Sequence, residues 1–136
     1  MIKAKKSLGQ NFLIDQNIID NIVNIIELKN KNILEIGPGT GNLTEGILKK
    51  NPKKVLVIEK DNDLTGLLKE KFKNKIEVIN KDVLKIDENL LSDQTLTVFG
   101  NLPYNISTEI FCKWILNIKE KIWFDYLILM FQKEVA

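Results

Sequence analysis

The sequence contains no histidine and only one cysteine, Cys112, among its 136 residues. Histidine is the usual general base of nucleophilic catalysis and, together with cysteine, the usual ligand of zinc. A lone cysteine also has no partner with which to close an internal disulfide. The composition therefore excludes Ser-His and Cys-His catalysis and zinc chemistry, and we expect no bound metal.

Arginine is absent as well, so lysine supplies all twenty basic residues. The formal net charge is only +2, which is weak support for a nucleic-acid partner. Two groups of lysines, near positions 3–6 and 49–54, have the charge to meet phosphates. We interpret most lysines as solvated surface, so the charge alone assigns no partner.

Long apolar runs are also missing from the sequence. Residues 1–12 are polar and bear lysines, unlike a signal peptide, and no run approaches the roughly 20 residues that span a bilayer. We therefore expect a soluble, cytoplasmic protein without a membrane partner. The length predicts one domain, covering residues 1–136.

Short apolar runs alternate with amphipathic stretches along the chain. The runs at 33–36, 55–58, 76–79, 96–99 and 126–131 are predicted to be buried strands. Helices are predicted at 14–26, capped by Asp15, and at 43–50, 62–72 and 108–118, with a weaker segment at 83–91. In the last helix, Ile110, Phe111, Trp114 and Ile115 share one face. The alternation predicts an α/β fold, a largely parallel twisted sheet flanked by helices, with ligands beyond the carboxyl ends of the strands.

A glycine-rich turn, GPGTG at 37–41, follows the first predicted strand. Glycine lets the backbone bend sharply and lets a ligand approach without meeting a Cβ. A dinucleotide-binding turn would carry glycine or alanine where this chain has Asn42, so the spacing disfavours NAD. We predict that the turn binds S-adenosylmethionine, with backbone N–H groups on its carboxylate and Glu35 or nearby carbonyls facing its ammonium. A purely structural turn is the alternative.

Acidic residues follow the second and third predicted strands. Glu59 stands about twenty residues after the glycine turn, where a carboxylate can accept hydrogen bonds from both ribose hydroxyls. Asp82 is placed to accept one from the adenine amino group of the cofactor. The structural alternatives are a surface carboxylate for Glu59 and a helix cap for Asp82.

The segment Asn101-Leu102-Pro103-Tyr104 follows the fourth predicted strand and Gly100. The exocyclic amine of adenine is a poor nucleophile, because its lone pair is delocalised into the ring. The amide oxygen of Asn101 and the carbonyl of Leu102 can accept its two hydrogens and turn the lone pair toward a methyl group. Pro103 fixes that carbonyl, and Tyr104 offers a ring on which the base can stack. We predict these four residues to be the catalytic group, acting by direct displacement on an adenine taken out of its stack.

Four segments stand in a fixed order along the chain: KSLGQNFL at 6–13, EIGPGTG at 35–41, GNLPYNIST at 100–108 and FQKEVA at 131–136. Together they resemble the KsgA family of small-subunit ribosomal RNA adenine dimethyltransferases, which are Rossmann-like class I methyltransferases. The resemblance implies S-adenosylmethionine as cofactor. It implies cofactor contacts from Asn11, Leu13, Gly37, Gly39, Glu59, Asp82 and Asn101.

The resemblance also implies a substrate and a partner. The substrate is two adjacent adenosines near the 3′ end of small-subunit (16S) ribosomal RNA, each dimethylated on N6 in a pre-ribosomal particle during ribosome biogenesis. A complete member is expected to be a monomer and continues through two more strands and a small helical domain. Because these are missing here, we expect the sheet to be truncated after the fifth strand. We also expect the isolated chain to be poorly soluble or only partly folded, and to be inactive.

Two alternatives remain open. Erythromycin-resistance methyltransferases of 23S ribosomal RNA share the Gln-Asn-Phe and Asn-x-Pro-Tyr segments but typically differ at 38–40 and 132–135. A non-catalytic RNA-binding ribosome-assembly factor that retains a cofactor pocket is the rival from another class. The presence of Asn101 and Tyr104 favours the enzyme.

Overall fold

The computed structural model describes residues 15–116, 118 and 122–131, and for Tyr104 and Phe131 it describes the backbone alone. In chain order the elements are α1 (Gln16–Val23), β1 (Asn32–Ile36), α2 (Asn42–Leu48), β2 (Lys54–Ile58), α3 (Asn62–Phe72), β3 (Glu77–Ile79), β4 (Leu96–Leu102), α4 (Tyr104–Leu116) and β5 (Phe124–Phe131). Two 3-10 turns, Val83–Lys85 and Glu88–Leu90, lie between β3 and β4. Each helix in these described ranges falls short of the length and apolar character needed to cross a bilayer.

The five strands form one parallel sheet in the order β3-β2-β1-β4-β5. Parallel neighbours require crossover connections, which α2, α3 and α4 provide. This arrangement confirms the predicted α/β fold with a parallel sheet.

Alternate residues of the central strands bury into two separate cores. In β1, Ile33 packs with α1, α2 and α3 on one face, whereas Leu34 and Ile36 pack with α4 on the other. Because both faces of the sheet are covered, the central strands are apolar at most positions. This double burial explains why they were recognisable as continuous apolar runs.

The observed boundaries differ from the predicted ones mainly around β4. This strand continues past 99 to Leu102, since its backbone pairs with β5 as far as that residue. Helix α4 begins at Tyr104, directly after Pro103, instead of at 108. The weak segment at 83–91 forms two 3-10 turns, and α1 covers only part of 14–26, although Asp15 does cap it.

The predicted buried face of α4 is only half right. Ile110 and Trp114 are each 1% exposed and pack on the sheet. Phe111 and Ile115 are 42% and 45% exposed, because they lie one position further around the helix and point away from β4 and β5.

Candidate functional site

The carboxyl ends of β2, β1 and β4 lie side by side. Ile36, the last residue of β1, pairs with Ile58 of β2 on one side and with Gly100 of β4 on the other. The chain passes from β1 outward to β2 and β3 and then returns to β4 on the opposite side of β1. Ligands of open parallel sheets bind at such a reversal of strand order. The structure thus brings the glycine turn, Glu59 and Asn101 to one edge, as the sequence predicts.

The glycine turn after β1 has a backbone that other residues tolerate poorly. Gly37, Gly39 and Gly41 have φ angles of +65°, +60° and +91°. A Cβ on Gly37 would lie 2.5 Å from Cδ2 of Leu102, and one on Gly41 would lie 2.5 Å from Cε2 of Phe72. The turn is therefore packed against the end of β4 and against α3, and its shape is set before any ligand arrives.

A buried carboxyl group lies next to the turn. Glu35 is 1% exposed, and the hydroxyl of Thr44 in α2 donates a hydrogen bond of 2.5 Å to its Oε1. Burial raises the pKa of Glu35 from 4.5 to about 7; the Thr44 hydrogen bond opposes this rise, and the charge of Glu59 adds to it. A cation placed nearby would favour the ionised form of Glu35. This carboxyl is therefore able to respond to an ammonium group at the turn.

Glu59 follows β2 and is 7% exposed, so the surface-carboxylate alternative is wrong. Its Oε2 accepts a hydrogen bond of 3.0 Å from the backbone N–H of Asp61. Burial raises the pKa of Glu59, while backbone N–H groups, including that of Gly39, counteract the rise. The backbone N–H of Gly37 donates a hydrogen bond of 3.0 Å to the carbonyl of Ile58, so Glu59 follows directly after a residue that is bonded to the glycine turn.

Asp82 lies two strands away from β1, after β3 at the edge of the sheet. Its Oδ1 accepts a hydrogen bond of 3.0 Å from the backbone N–H of Leu84 and so caps the first 3-10 turn. The capping alternative is thus confirmed, yet it does not exclude a ligand. The second carboxylate oxygen makes no hydrogen bond to the residues described here, and the contact with cofactor adenine stays a prediction.

Asn101 is the next-to-last residue of strand β4 and does not follow the strand, because β4 is longer than predicted. The side chain is 9% exposed, and its Oδ1 is buried without a hydrogen-bond partner in the described part of the chain. Leaving such an acceptor unpaired costs about 1–3 kcal/mol. An orphan acceptor of this kind at the strand reversal indicates a ligand that brings an N–H or O–H donor.

The carbonyl of Leu102 already has one partner. Ser107 in α4 is 2% exposed, and its hydroxyl donates a hydrogen bond of 3.2 Å to that carbonyl oxygen. The backbone N–H of Ser107 also bonds to the Pro103 carbonyl at 2.9 Å. Since a carbonyl oxygen has two lone pairs, Leu102 can still accept a second hydrogen bond.

Sequence reasoning missed both hydroxyl groups, Thr44 and Ser107. The available signal was weak: each lies in the first turn of the helix that follows a predicted site segment. Hydroxyls at helix starts usually serve as caps, so nothing local distinguishes one that supports a neighbouring site.

Some predicted residues cannot be placed at this edge. Asn11, Leu13 and the Tyr104 side chain lie outside the described part of the chain, so their roles stay predictions. Lys53 and Lys54 lie at the amino end of β2, opposite to the glycine turn. Within the described ranges, no three His, Cys, Asp or Glu side chains are grouped so that they could hold a metal ion.

The fold and the site together define a class of protein. A parallel sheet that carries a glycine turn, a buried acid and, among the described residues, an amide oxygen without a partner at its order reversal is typical of Rossmann-like proteins that bind nucleosides. The crystal structure of the 23S rRNA methyltransferase ErmE is similar, with a TM-score of 0.71 and 29% identity, over 87% of this chain and 46% of that one. A dimethyladenosine transferase from Plasmodium falciparum has a TM-score of 0.71 and 32% identity, over 88% and 42%. The chain has the fold of a Rossmann-like methyltransferase.

The family follows from the sequence comparison. The family described as "Ribosomal RNA adenine dimethylase" matches residues 1–136, so the chain belongs to that family, and the resemblance is confirmed. A protein of Pelagibacter ubique (strain HTCC1062) is 66% identical over 135 residues, 99% of this chain and 52% of the relative. One of Wolbachia sp. subsp. Drosophila simulans (strain wRi) is 47% identical over 140 residues, 100% of this chain and 50% of the relative. Both are named "Ribosomal RNA small subunit methyltransferase A".

The chain spans about half the length of the curated relatives that it matches. The family is one of S-adenosylmethionine-dependent methyltransferases, which agrees with the predicted cofactor.

Proposed function

We propose that this chain is the cofactor-binding part of an enzyme that methylates N6 of two adjacent adenosines near the 3′ end of small-subunit ribosomal RNA. The observation that carries the proposal is the buried oxygen of Asn101 at the strand reversal, which has no hydrogen-bond partner among the residues that the structure describes. The exocyclic amine of adenine carries N–H donors, and one of them could bond to this acceptor. The curated relatives, named for the small subunit, support that substrate.

The residues at the strand reversal fit S-adenosylmethionine. Glu59 would accept hydrogen bonds from the ribose hydroxyls. The Asp82 oxygen that makes no hydrogen bond to the described residues would accept one from the adenine amine. The turn at Gly37 and Gly39 would let the amino acid end of the cofactor lie close to the protein backbone. The Glu35 carboxyl would then lie beside the cofactor's ammonium group. When bound, the cofactor supplies a methyl group made electrophilic by its sulfonium centre.

The chain's own contribution is the placement of the target amine. Asn101 Oδ1 accepts one N6 hydrogen and the Leu102 carbonyl accepts the other, which turns the nitrogen lone pair out of the adenine ring. Ser107 holds the Leu102 carbonyl in place for this contact. Alignment of this kind supplies much of the reduction in the activation barrier for methyl transfer, without a general base. The proton of the alkylated amine is acidic enough to leave to solvent. The sequence offers no histidine for that purpose.

The rest of the setting follows from the proposed substrate. The protein would bind the RNA in a pre-ribosomal particle in the cytoplasm. When complete, it would act as a monomer. The 23S alternative draws on the likeness to ErmE, at 29% identity. The relatives named for the small subunit are more similar, at 66% and 47%, and we therefore prefer the small-subunit substrate.

Methyl transfer to unmethylated small subunits tests the proposal. Because the isolated chain is expected to be inactive, it is joined to the carboxyl-terminal half of a curated relative, the part of that relative that this chain does not cover. This protein is incubated with tritium-labelled S-adenosylmethionine and subunits from a strain lacking the modification, and the digested RNA is analysed for N6,N6-dimethyladenosine. Asn101→Ala is expected to lower transfer by about 100-fold, in the range seen when a transition-state hydrogen bond is removed. Asn74→Ala, at an exposed position on the turn after α3, is the matched control and should leave transfer unchanged. Cofactor binding without transfer to any ribosomal RNA would instead support the non-catalytic assembly factor.

A further inference from the structure

A charged cluster joins α4 to the segment that follows β3. Nζ of Lys113 lies 2.9 and 3.2 Å from the two carboxylate oxygens of Glu88. The same ammonium donates to the carbonyls of Val83 at 2.8 Å and Ile86 at 2.6 Å. The Lys113 side chain is 20% exposed and that of Glu88 is 5% exposed. Every proton of the ammonium group therefore has an acceptor on this one segment.

The 82–90 segment has little regular structure of its own to hold it in place. Its backbone hydrogen bonds close single 3-10 turns, such as Lys85 N to Asp82 O at 2.9 Å and Leu90 N to Asp87 O at 3.1 Å. Short 3-10 turns have poor hydrogen-bond geometry and are seldom stable alone. A cleft of about 330 Å³ separates part of the segment from Trp114 and Trp123. Apolar packing is thus incomplete here, and the contacts of Lys113 fasten the segment at three points.

Both ends of this connection lead to the proposed site. The 82–90 segment begins at Asp82, and α4 begins directly after Pro103 and the Asn101 amide. Lys113 thus ties the residue proposed to recognise the cofactor's adenine to the helix that supports the target-base residues. Neither Lys113 nor Glu88 stands at the carboxyl edge of the sheet.

We infer that Lys113 and Glu88 are positioning residues, which hold the 82–90 segment against α4 so that Asp82 can select the adenine of the cofactor. The inference rests on the proposed function. If the segment is released, Asp82 occupies its selective position only part of the time. The apparent affinity of a ligand then falls in proportion to the fraction of chains in which Asp82 is in place. The preference for adenine, which depends on Asp82, is lost first.

The test compares S-adenosylhomocysteine with S-inosylhomocysteine, in which an oxygen replaces the adenine amine. Calorimetry measures both dissociation constants for the full chain and for the double variant Lys113→Met/Glu88→Leu. Replacing both members of a buried pair by apolar residues is often neutral for stability, so this variant is expected to fold. The original chain should prefer the adenine compound by about ten-fold, the factor for one lost hydrogen bond to a carboxylate. The double variant should prefer it by less than about three-fold.

Lys85→Met is the matched control, since Lys85 is an exposed lysine of the same segment, and it should keep the full preference. Hydrogen exchange supplies a second readout: amides 84–91 should exchange faster in the double variant, while those of β1 and β4 should not. A double variant that keeps the original preference would overturn the inference and leave the proposed function intact. An original chain that binds both compounds equally would also overturn it, and one that binds neither would remove the proposed function as well.

Discussion

Replacing Asn101 by alanine is expected to cost activity without costing stability. The buried Oδ1 of Asn101 has no partner in the described ranges, and an unpaired acceptor destabilises a folded chain by about 1–3 kcal/mol, because its hydrogen bonds to water are lost without a substitute. Alanine removes that acceptor, and the lost packing of a small side chain costs about 1 kcal/mol. We therefore expect the free energy of unfolding to stay equal or to rise by up to about 2 kcal/mol.

Thr44→Val supplies the contrast, because it changes a buried polar group that is satisfied. Thr44 is 0% exposed and its hydroxyl bonds to Glu35, so its loss leaves a buried carboxyl short of a donor and should cost about 1–3 kcal/mol. Urea unfolding followed through the buried tryptophans Trp114 and Trp123 measures both variants. The reasoning about the orphan acceptor is refuted if Asn101→Ala is destabilised as much as Thr44→Val.

Three further predictions concern the glycine turn, a buried acid and a supporting hydroxyl. Gly41→Ala should lower the free energy of unfolding by about 2–4 kcal/mol, since it combines a positive φ with a Cβ only 2.5 Å from a core ring. Gly66→Ala in α3, with open space around it, should raise that free energy by about 1 kcal/mol. Thermal unfolding measures both variants. Because the pKa of Glu35 is raised from 4.5 to about 7, the free energy of unfolding should fall as pH rises from 4.5 to 7, by about 3 kcal/mol at most. Urea titrations at each pH measure this fall, and Glu35→Gln should make it smaller. Ser107→Ala should slow methyl transfer by about ten-fold at unchanged cofactor affinity, and Ser107→Thr should restore it; equal rates in all three chains would contradict the role of its bond to Leu102.

The sequence was a good guide to those features that local patterns control. Strands buried on both faces are apolar at most positions, which made β1 and β2 visible as short runs. The turn at 37–41 was recognisable because only glycine adopts its three positive φ angles easily. Since parallel strands end at one edge, residues that follow them had to converge there, and Glu59 does so.

Features that depend on contacts between distant segments were not predictable. Gly100 and Asn101 have low strand propensity, yet β4 includes them because β1 and β5 pair with it on both sides. The bond from Lys113 to Glu88 joins residues 25 positions apart and has no local signature. The lack of a partner for the Asn101 oxygen among the described residues is likewise a property of its surroundings, which a motif cannot reveal.

Calorimetric titration of the chain with S-adenosylmethionine tests most directly whether the strand reversal is a cofactor site. We expect one cofactor to bind per chain, and Glu59→Ala to weaken binding at least about ten-fold, because the variant loses hydrogen bonds to a buried carboxylate. Glu70→Ala, at an exposed carboxylate of α3, should bind as the original chain does. Absence of binding, or binding that Glu59→Ala leaves unchanged, would contradict the placement of the cofactor between the glycine turn and Glu59.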